Sequence, residues 1–132
     1  MKNKEITIEM PCEKEKISST IKKISEKVKK LDCHIDDLNF KIKVTSKEIL
    51  ANAVEHGCQH REGKIKIILE ATTSKVSIKV IDPGNGFNWN NTEFNNPVLK
   101  EKGIGLWIVN KVANKIEFNE MGNKITVYFY ST

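Results

Sequence analysis

Residues 64–86 read KIKIILEATTSKVSIKVIDPGNG. Ile65, Ile67 and Leu69 share one face of an alternating run, and Val76, Ile78 and Val80 share one face of the next. The pattern predicts two strands joined by a turn at Thr72-Thr73-Ser74. Asp82 continues the parity of Val76, Ile78 and Val80, so it points to the apolar face where the second strand ends. An inward carboxylate needs a hydrogen-bond donor, and the amino group of adenine is one candidate. Gly84 and Gly86 follow closely. They would let backbone approach a flat ligand, although Pro83-Gly84-Asn85-Gly86 is also ordinary turn chemistry.

The hairpin has helices on both sides of it. Residues 4–10 alternate around Ile6 and Ile8 as a short strand that Pro11 ends. Ile17, Ile21, Ile24, Val28 and Leu31 recur at helical spacing, which predicts an amphipathic helix over 13–31. A second helix starts near Asp36-Asp37, carries the inner stripe Leu38, Ile42, Thr45, Ile49 and Ala53, and is expected to stop at a left-handed Gly57 cap. Beyond the strands, residues 83–102 are irregular, polar and Asn-rich. Gly103 then opens a third helix with Ile104, Leu106, Ile108, Val109 and Val112. A hairpin over 115–121 and 124–130 turns at Gly122-Asn123. The order β-α-α-β-β-loop-α-β-β predicts an α+β two-layer sandwich.

Composition narrows the function classes. The chain has 132 residues, one domain's worth, and no apolar run approaches the ~20 residues needed to span a bilayer. No apolar signal region follows the N-terminus, so a cytoplasmic protein without membrane contact is expected. The net charge is +5, and nine Lys with five Glu fall within residues 1–30. Arg61 is the only arginine, and arginine is the usual reader of bases and phosphates. The lysine excess therefore reads as a solvated helix face, and no direct nucleic-acid contact is expected. Cys12, Cys33 and Cys58 form no C-x-x-C pair, and three free thiols are expected.

Two more places break local pattern. Glu48 and Asn52 are four apart on the second helix, one above the other, each directly preceding a core-type residue. A carboxylate and an amide oxygen at that spacing can share a hydrated magnesium ion or hold a water. Gly103 and Gly105 flank Ile104 and precede Leu106 where the third helix begins. Free N–H groups and the helix dipole there suit an anion. No G-K-[ST] is present, so this is not a Walker loop.

Taken in order, these motifs resemble the GHKL-type ATP-binding domains, and more narrowly the anti-sigma-factor serine/threonine kinases of the RsbW and SpoIIAB type. Glu48-Ile-Leu-Ala-Asn52-Ala-Val-Glu-His56-Gly57 is similar to that family's E-x-x-x-N-A-x-x-H-G. Asp82-Pro-Gly84-Asn-Gly86-Phe is similar to its D-x-G-x-G-F, and Gly103-Ile-Gly105-Leu106 to its G-x-G-L. The likeness covers nearly the whole chain. It implies a single Bergerat-type domain over 1–132, with a mixed β-sheet covered on one face by helices and a lid at about 87–102.

The resemblance also implies roles. Glu48 would be the general base, Asn52 the magnesium ligand and Asp82 the adenine reader. His56 would join the ATP site. Gly84 and Gly86 would shape the base pocket, and Gly103, Ile104, Gly105 and Leu106 would wrap the phosphates. Lys100 or Lys102 would supply charge to the γ-phosphate, since the lid has no Arg. Asn114 stands where the family often carries an acidic residue. The implied activity is transfer of the ATP γ-phosphate, with Mg2+, to a Ser or Thr of a STAS-type anti-sigma antagonist. Sequestration of a sigma factor and a homodimeric state go with it. A nucleotide-dependent binding switch without transferase activity is the alternative.

Overall fold

Lys4–Pro11 forms the first strand, β1, and a single 3-10 turn at Lys14–Lys16 leads into α1, Ile17–Lys29. The helix α2, Leu38–Asn52, runs into a wider π-type turn at Ala53–Gly57. Then come β2 (Lys64–Ala71), β3 (Lys75–Ile81), α3 (Ile104–Val112), β4 (Lys115–Phe118) and β5 (Lys124–Tyr130). This computed structural model describes residues 3–58, 63–84 and 104–131.

The strands make one five-stranded sheet in the order β1-β2-β3-β5-β4. The architecture is α+β, as the element order predicts. The sheet is antiparallel at every pairing, where a mixed sheet was expected. The reason is topological. β3 and β4 do run in the same direction, connected through α3, as in a crossover unit. β5 folds back from β4 and inserts between them, so no parallel pair forms.

Register aligns the apolar residues into rows. Ile67 pairs with Ile8 and Val80, Ile78 with Leu69 and Val127, and Ile125 with Val80 and Phe118. Ile65, Ile67, Val76, Ile78, Val127 and Phe129 are completely buried. Side chains alternate along a strand, so a slip of one residue would turn this whole set to water. Ile24, Ile42, Ile49, Leu50, Leu106 and Val109 cover the set from the helix layer and are buried with it. Each such side chain contributes about 1.5–3 kcal/mol when buried.

The opposite face of the sheet is hydrated, as antiparallel sheets allow. There Lys75 lies over the rings of Tyr128 and Tyr130. Tyr128 donates its hydroxyl to Glu117 at 3.2 Å, and Glu117 pairs with Lys115 at 2.6 Å. Asn114 has a structural place of its own: its Oδ1 accepts the Tyr130 N–H at 2.9 Å, which ties the end of α3 to β5. No helix among the described residues is long and apolar enough to cross a membrane.

The α2 stripe Leu38, Ile42, Thr45, Ile49 and Ala53 is buried throughout. The helix starts and stops where expected, after Asp37 and at Gly57, but Gly57 is there for a different reason. Asp37 precedes it in the left-handed region (φ 56°) and makes no side-chain capping bond; Asp is among the few residues that tolerate this region. Gly57 is not a left-handed cap. Gly122, at φ 80°, is the only described glycine with positive φ. Gly57 is required for another reason: a Cβ there would overlap the Asp82 carboxyl group.

The expectation of three free thiols is also corrected. Cys12 and Cys58 form a disulfide, 46 residues apart with a Cα–Cα distance of 5.6 Å. Spacing along the chain does not reveal this pairing. It follows from β1 lying beside β2, where the Cys12 N–H donates to the Gly63 carbonyl at 3.2 Å, opposite the end of the α2 turn. Cys33 is the free cysteine. Its thiol donates to the Thr72 carbonyl at 2.9 Å, and burial followed by the charge of Asp32 pushes it above its ordinary pKa.

Candidate nucleotide site

α2 with its π-type turn and β3 end on the same side of the molecule. The helix brings Ile49, Asn52, Ala53, His56 and Gly57 there, and the strand brings Val80 and Asp82. Leu106 of α3 and Asn123, Lys124 and Ile125 of the last hairpin complete the walls of one cleft. Single π-type turns recur at functional sites because they re-aim the side chains that follow.

Asp82 is held from several directions. The Gly84 N–H donates to its Oδ1 at 2.9 Å. Burial pushes the carboxyl above its ordinary pKa, and the Gly84 bond opposes that shift. The Asp82 N–H donates to the Asn123 carbonyl at 2.9 Å, and the Asn123 side-chain amide donates back to the Asp82 carbonyl at 3.4 Å. Asn123 is positioned in turn by Asn119. The Asn119 amide donates to Asn123 Oδ1 at 2.6 Å, while its Oδ1 accepts the N–H groups of Gly122 (2.8 Å) and Lys124 (3.1 Å). The last hairpin thus fixes the main chain of Asp82.

Two glycines make the fit possible. A Cβ on Gly84 would come within 2.6 Å of the Gly57 carbonyl oxygen, and one on Gly57 would fall on Asp82. The backbone at Gly57 meets the Asp82–Gly84 segment here at a separation that side chains would prevent.

Asn52 carries the second polar group. Its Nδ2 is buried and has no hydrogen-bond partner among the described residues. The hydroxyls of Thr45 and Ser46 share that state, but neither residue lines the cleft. An unmet buried donor costs roughly 1–3 kcal/mol, so its place at a cleft wall suits a ligand. The fit to a nucleotide is good in kind: an acceptor at Asp82, an amide at Asn52, and apolar walls from Ile49, Val80, Leu106 and Ile125 for a flat ring. The described residues contain no cluster of three His, Cys, Asp or Glu able to hold a metal. Of the described cleft residues, Asn52 is the one whose amide oxygen would hold a magnesium ion.

The structure places the expected site residues unevenly. Asn52, His56, Asp82 and Leu106 line the same cleft, with Gly84 beside Asp82. The His56 side chain is mostly buried, with Nε2 3.8 Å from Glu55 Oε2. Glu48 is half-buried one turn before Asn52 and is not among the described residues lining the cleft. Ile104 and Gly105 begin α3 as helical backbone. Gly86, Lys100, Lys102, Gly103 and the lid at 87–102 lie outside the described residues. The sequence reading missed Asn119, Asn123 and Lys124. Gly122-Asn123 carried a turn signal and Asn119 was expected in a strand that in fact ends at Phe118, but the contact of Asn123 with Asp82 depends on β5 lying next to β3.

Comparison with known proteins gives the family. The sequence profile of the histidine kinase-like ATPase domain matches residues 10–129. The chain is 29% identical over 85 residues to the serine-protein kinase RsbW of Bacillus cereus (strain ATCC 10987 / NRS 248), covering 58% of this chain and 53%, about half, of that protein. It is 27% identical over 132 residues to the anti-sigma F factor of Clostridium beijerinckii, covering 93% of this chain and 90% of the relative. It is 26% identical over 144 residues to the serine-protein kinase RsbW of Staphylococcus aureus (strain MRSA252), covering 98% and 90%. A profile match across nearly all of the chain, on a fold whose cleft gathers Asn52 and Asp82, places this protein in the histidine kinase-like ATPase domain family.

Proposed function

We propose that this protein is an ATP-dependent serine/threonine kinase of the anti-sigma-factor type, acting on a small STAS-type partner and regulating a sigma factor. The observation that carries the reading is the pairing, across one cleft, of a half-buried Asp82 held by Gly84 with a buried Asn52 amide that lacks a partner among the described residues. The names of the relatives point the same way.

In this reading the adenine amino group donates to Asp82, and Ile49, Val80, Leu106 and Ile125 pack against the ring. Asn52 and the start of α3, with Gly103 and Gly105, bind the phosphates and position them. Mg2+ supplies charge neutralisation on the phosphates when bound. Glu48 takes the proton from the attacking Ser or Thr hydroxyl. The hydroxyl oxygen bonds to the γ-phosphorus as its bond to the bridging oxygen breaks, and ADP leaves.

The second reading, a nucleotide-dependent binding switch, is favoured by one observation: Glu48 is not among the described residues that line the cleft. One substitution separates the two. Glu48→Gln should leave ATP affinity within a few-fold and slow phosphate transfer to a STAS-type partner by ~10²–10⁴. Transfer is measured with labelled ATP and affinity by calorimetry. Transfer at the native rate would remove Glu48 as the base, and absent transfer by the native protein would favour the switch.

A further inference from the structure

The Cys12–Cys58 disulfide adjoins the cleft without belonging to it. Cys58 directly follows Gly57, whose backbone is pressed against the Asp82 carboxyl group and against Gly84. Cys12 directly follows the edge strand β1 and is almost wholly buried, whereas Cys58 is partly exposed. The bond therefore fastens the end of the π-type turn, with His56 and Gly57, to the sheet at the point where Gly57 abuts Asp82. Nothing in a nucleotide-binding role requires a covalent tie there.

We propose that Cys12–Cys58 is a reversible thiol–disulfide exchange site, with low-molecular-weight thiols as its reductant, and that its state sets the nucleotide affinity of the adjoining cleft. The inference rests on the nucleotide reading above. The exposure difference gives the order of events. A thiolate attacks the accessible Cys58 Sγ, the S–S bond breaks, and Cys12 leaves as a thiolate that takes up a proton. A second thiol attacks the mixed disulfide and releases the Cys58 thiol. The net change is Cys–S–S–Cys plus two R–SH giving two Cys–SH plus R–S–S–R, with two electrons and two protons moved to the protein. In a reducing compartment the dithiol form prevails, and disulfides that form there are commonly transient and redox-sensing.

The coupling follows from position. With the bond intact, Gly57 is held against Asp82 and the cleft is pre-formed. With the bond open, the turn at Ala53–Gly57 loses its covalent tie to the sheet, and the cleft-competent arrangement is populated for a smaller fraction of the time. Apparent affinity falls by that fraction.

The test uses the full chain, oxidised with glutathione disulfide or reduced with dithiothreitol and alkylated, with thiols counted by mass. ATP binding is measured by calorimetry, and amide exchange across residues 53–57 is followed without nucleotide. The expected result is about five-fold weaker ATP binding on reduction, with faster exchange at 53–57. Cys58→Ser and Cys12→Ser should match the reduced form under both conditions, and Cys33→Ser should keep the full response. Equal affinity and equal exchange in the two forms would overturn the inference and leave the nucleotide reading standing. So would two free thiols at Cys12 and Cys58 after oxidation. If neither form binds ATP, the nucleotide reading falls and the affinity coupling falls with it. The reduced wild type is itself one arm, so misfolding of a serine variant does not blunt the test.

Discussion

Asp82 is costly to the protein that carries it. Burial holds its carboxyl above the ordinary pKa, so the folded state binds a proton more readily than the unfolded chain. The linkage sign follows: the stability associated with protonation is present below the ordinary carboxylate range and is lost as pH rises through the raised value. Asp82→Asn should therefore leave the apo protein at neutral pH as stable as the native one or more so, and should flatten its acid-side stability profile in urea melts. Nucleotide binding should move oppositely. In the proposed reading it uses the ionised acceptor, so native affinity should drop as pH falls through the raised pKa, and Asp82→Asn should weaken ATP and ADP together above that pKa, with the gap closing below it. Gly57→Ala tests the neighbouring contact. In an open helix the added methyl would be neutral or helpful, but here it overlaps Asp82. Overpacking of this kind costs about 1–3 kcal/mol. A loss of that size in the urea melt, together with weakened ATP binding, is expected. An unchanged affinity would mean that Gly57 and Asp82 are not pressed together in solution.

Among the elements, the last hairpin does more than its sequence suggests. Asn119 makes side-chain bonds to Gly122, Asn123 and Lys124, and Asn123 reaches Asp82. Asn119→Ala removes three hydrogen bonds, each worth about 0.5–1.5 kcal/mol net. A stability loss of roughly 2 kcal/mol is expected, with weaker nucleotide binding because the Asp82 main chain loses its support; restored binding in Asn119→Asp would identify the acceptor oxygen as the part that matters. Elements whose residues repeat at a fixed period were readable in advance. The β2–β3 face and the α2 stripe are such cases, because periodicity reports which side of an element meets the core. The place where the α2 segment stops was readable, but the reason for its glycine was not. Gly57 looked like a cap because glycine serves caps and close approaches alike, and only the arrival of Asp82 from β3 distinguishes them. The free-thiol reading failed for the same reason, since Cys12 and Cys58 meet through strand pairing and not through spacing. The cleft itself was half legible. Asp82 stood out as a polar residue on an apolar face and Asn52 by its spacing from Glu48 beside the core stripe, whereas Asn123 looked like any turn residue.

At the scale of the whole molecule, the disulfide spans 46 residues and encloses both α1 and α2. Restricting an unfolded loop of that length is worth about 4 kcal/mol in the chain-entropy treatment. Reduced protein should therefore unfold at correspondingly lower urea than oxidised protein, and the gap should vanish in Cys12→Ser. A gap near zero would mean that the bond is offset by strain or by structure in the unfolded chain. The strand order carries a consequence for biosynthesis. β5 leaves the ribosome after both β3 and β4, yet it sits between them. Until residues 124–130 emerge, β3 is a nascent sheet's open edge, with Val76, Ile78 and Val80 uncovered beside unpaired main-chain groups. Closure must come from the finished β4–β5 hairpin docking onto β3, an event of long sequence separation and hence a late one. The window in which this sheet is vulnerable to aggregation, or dependent on a chaperone, thus closes only when residues 124–130 have emerged, and the same docking step is what brings Asn123 to Asp82. The cleft comes into being only with that last pairing of β5 to β3.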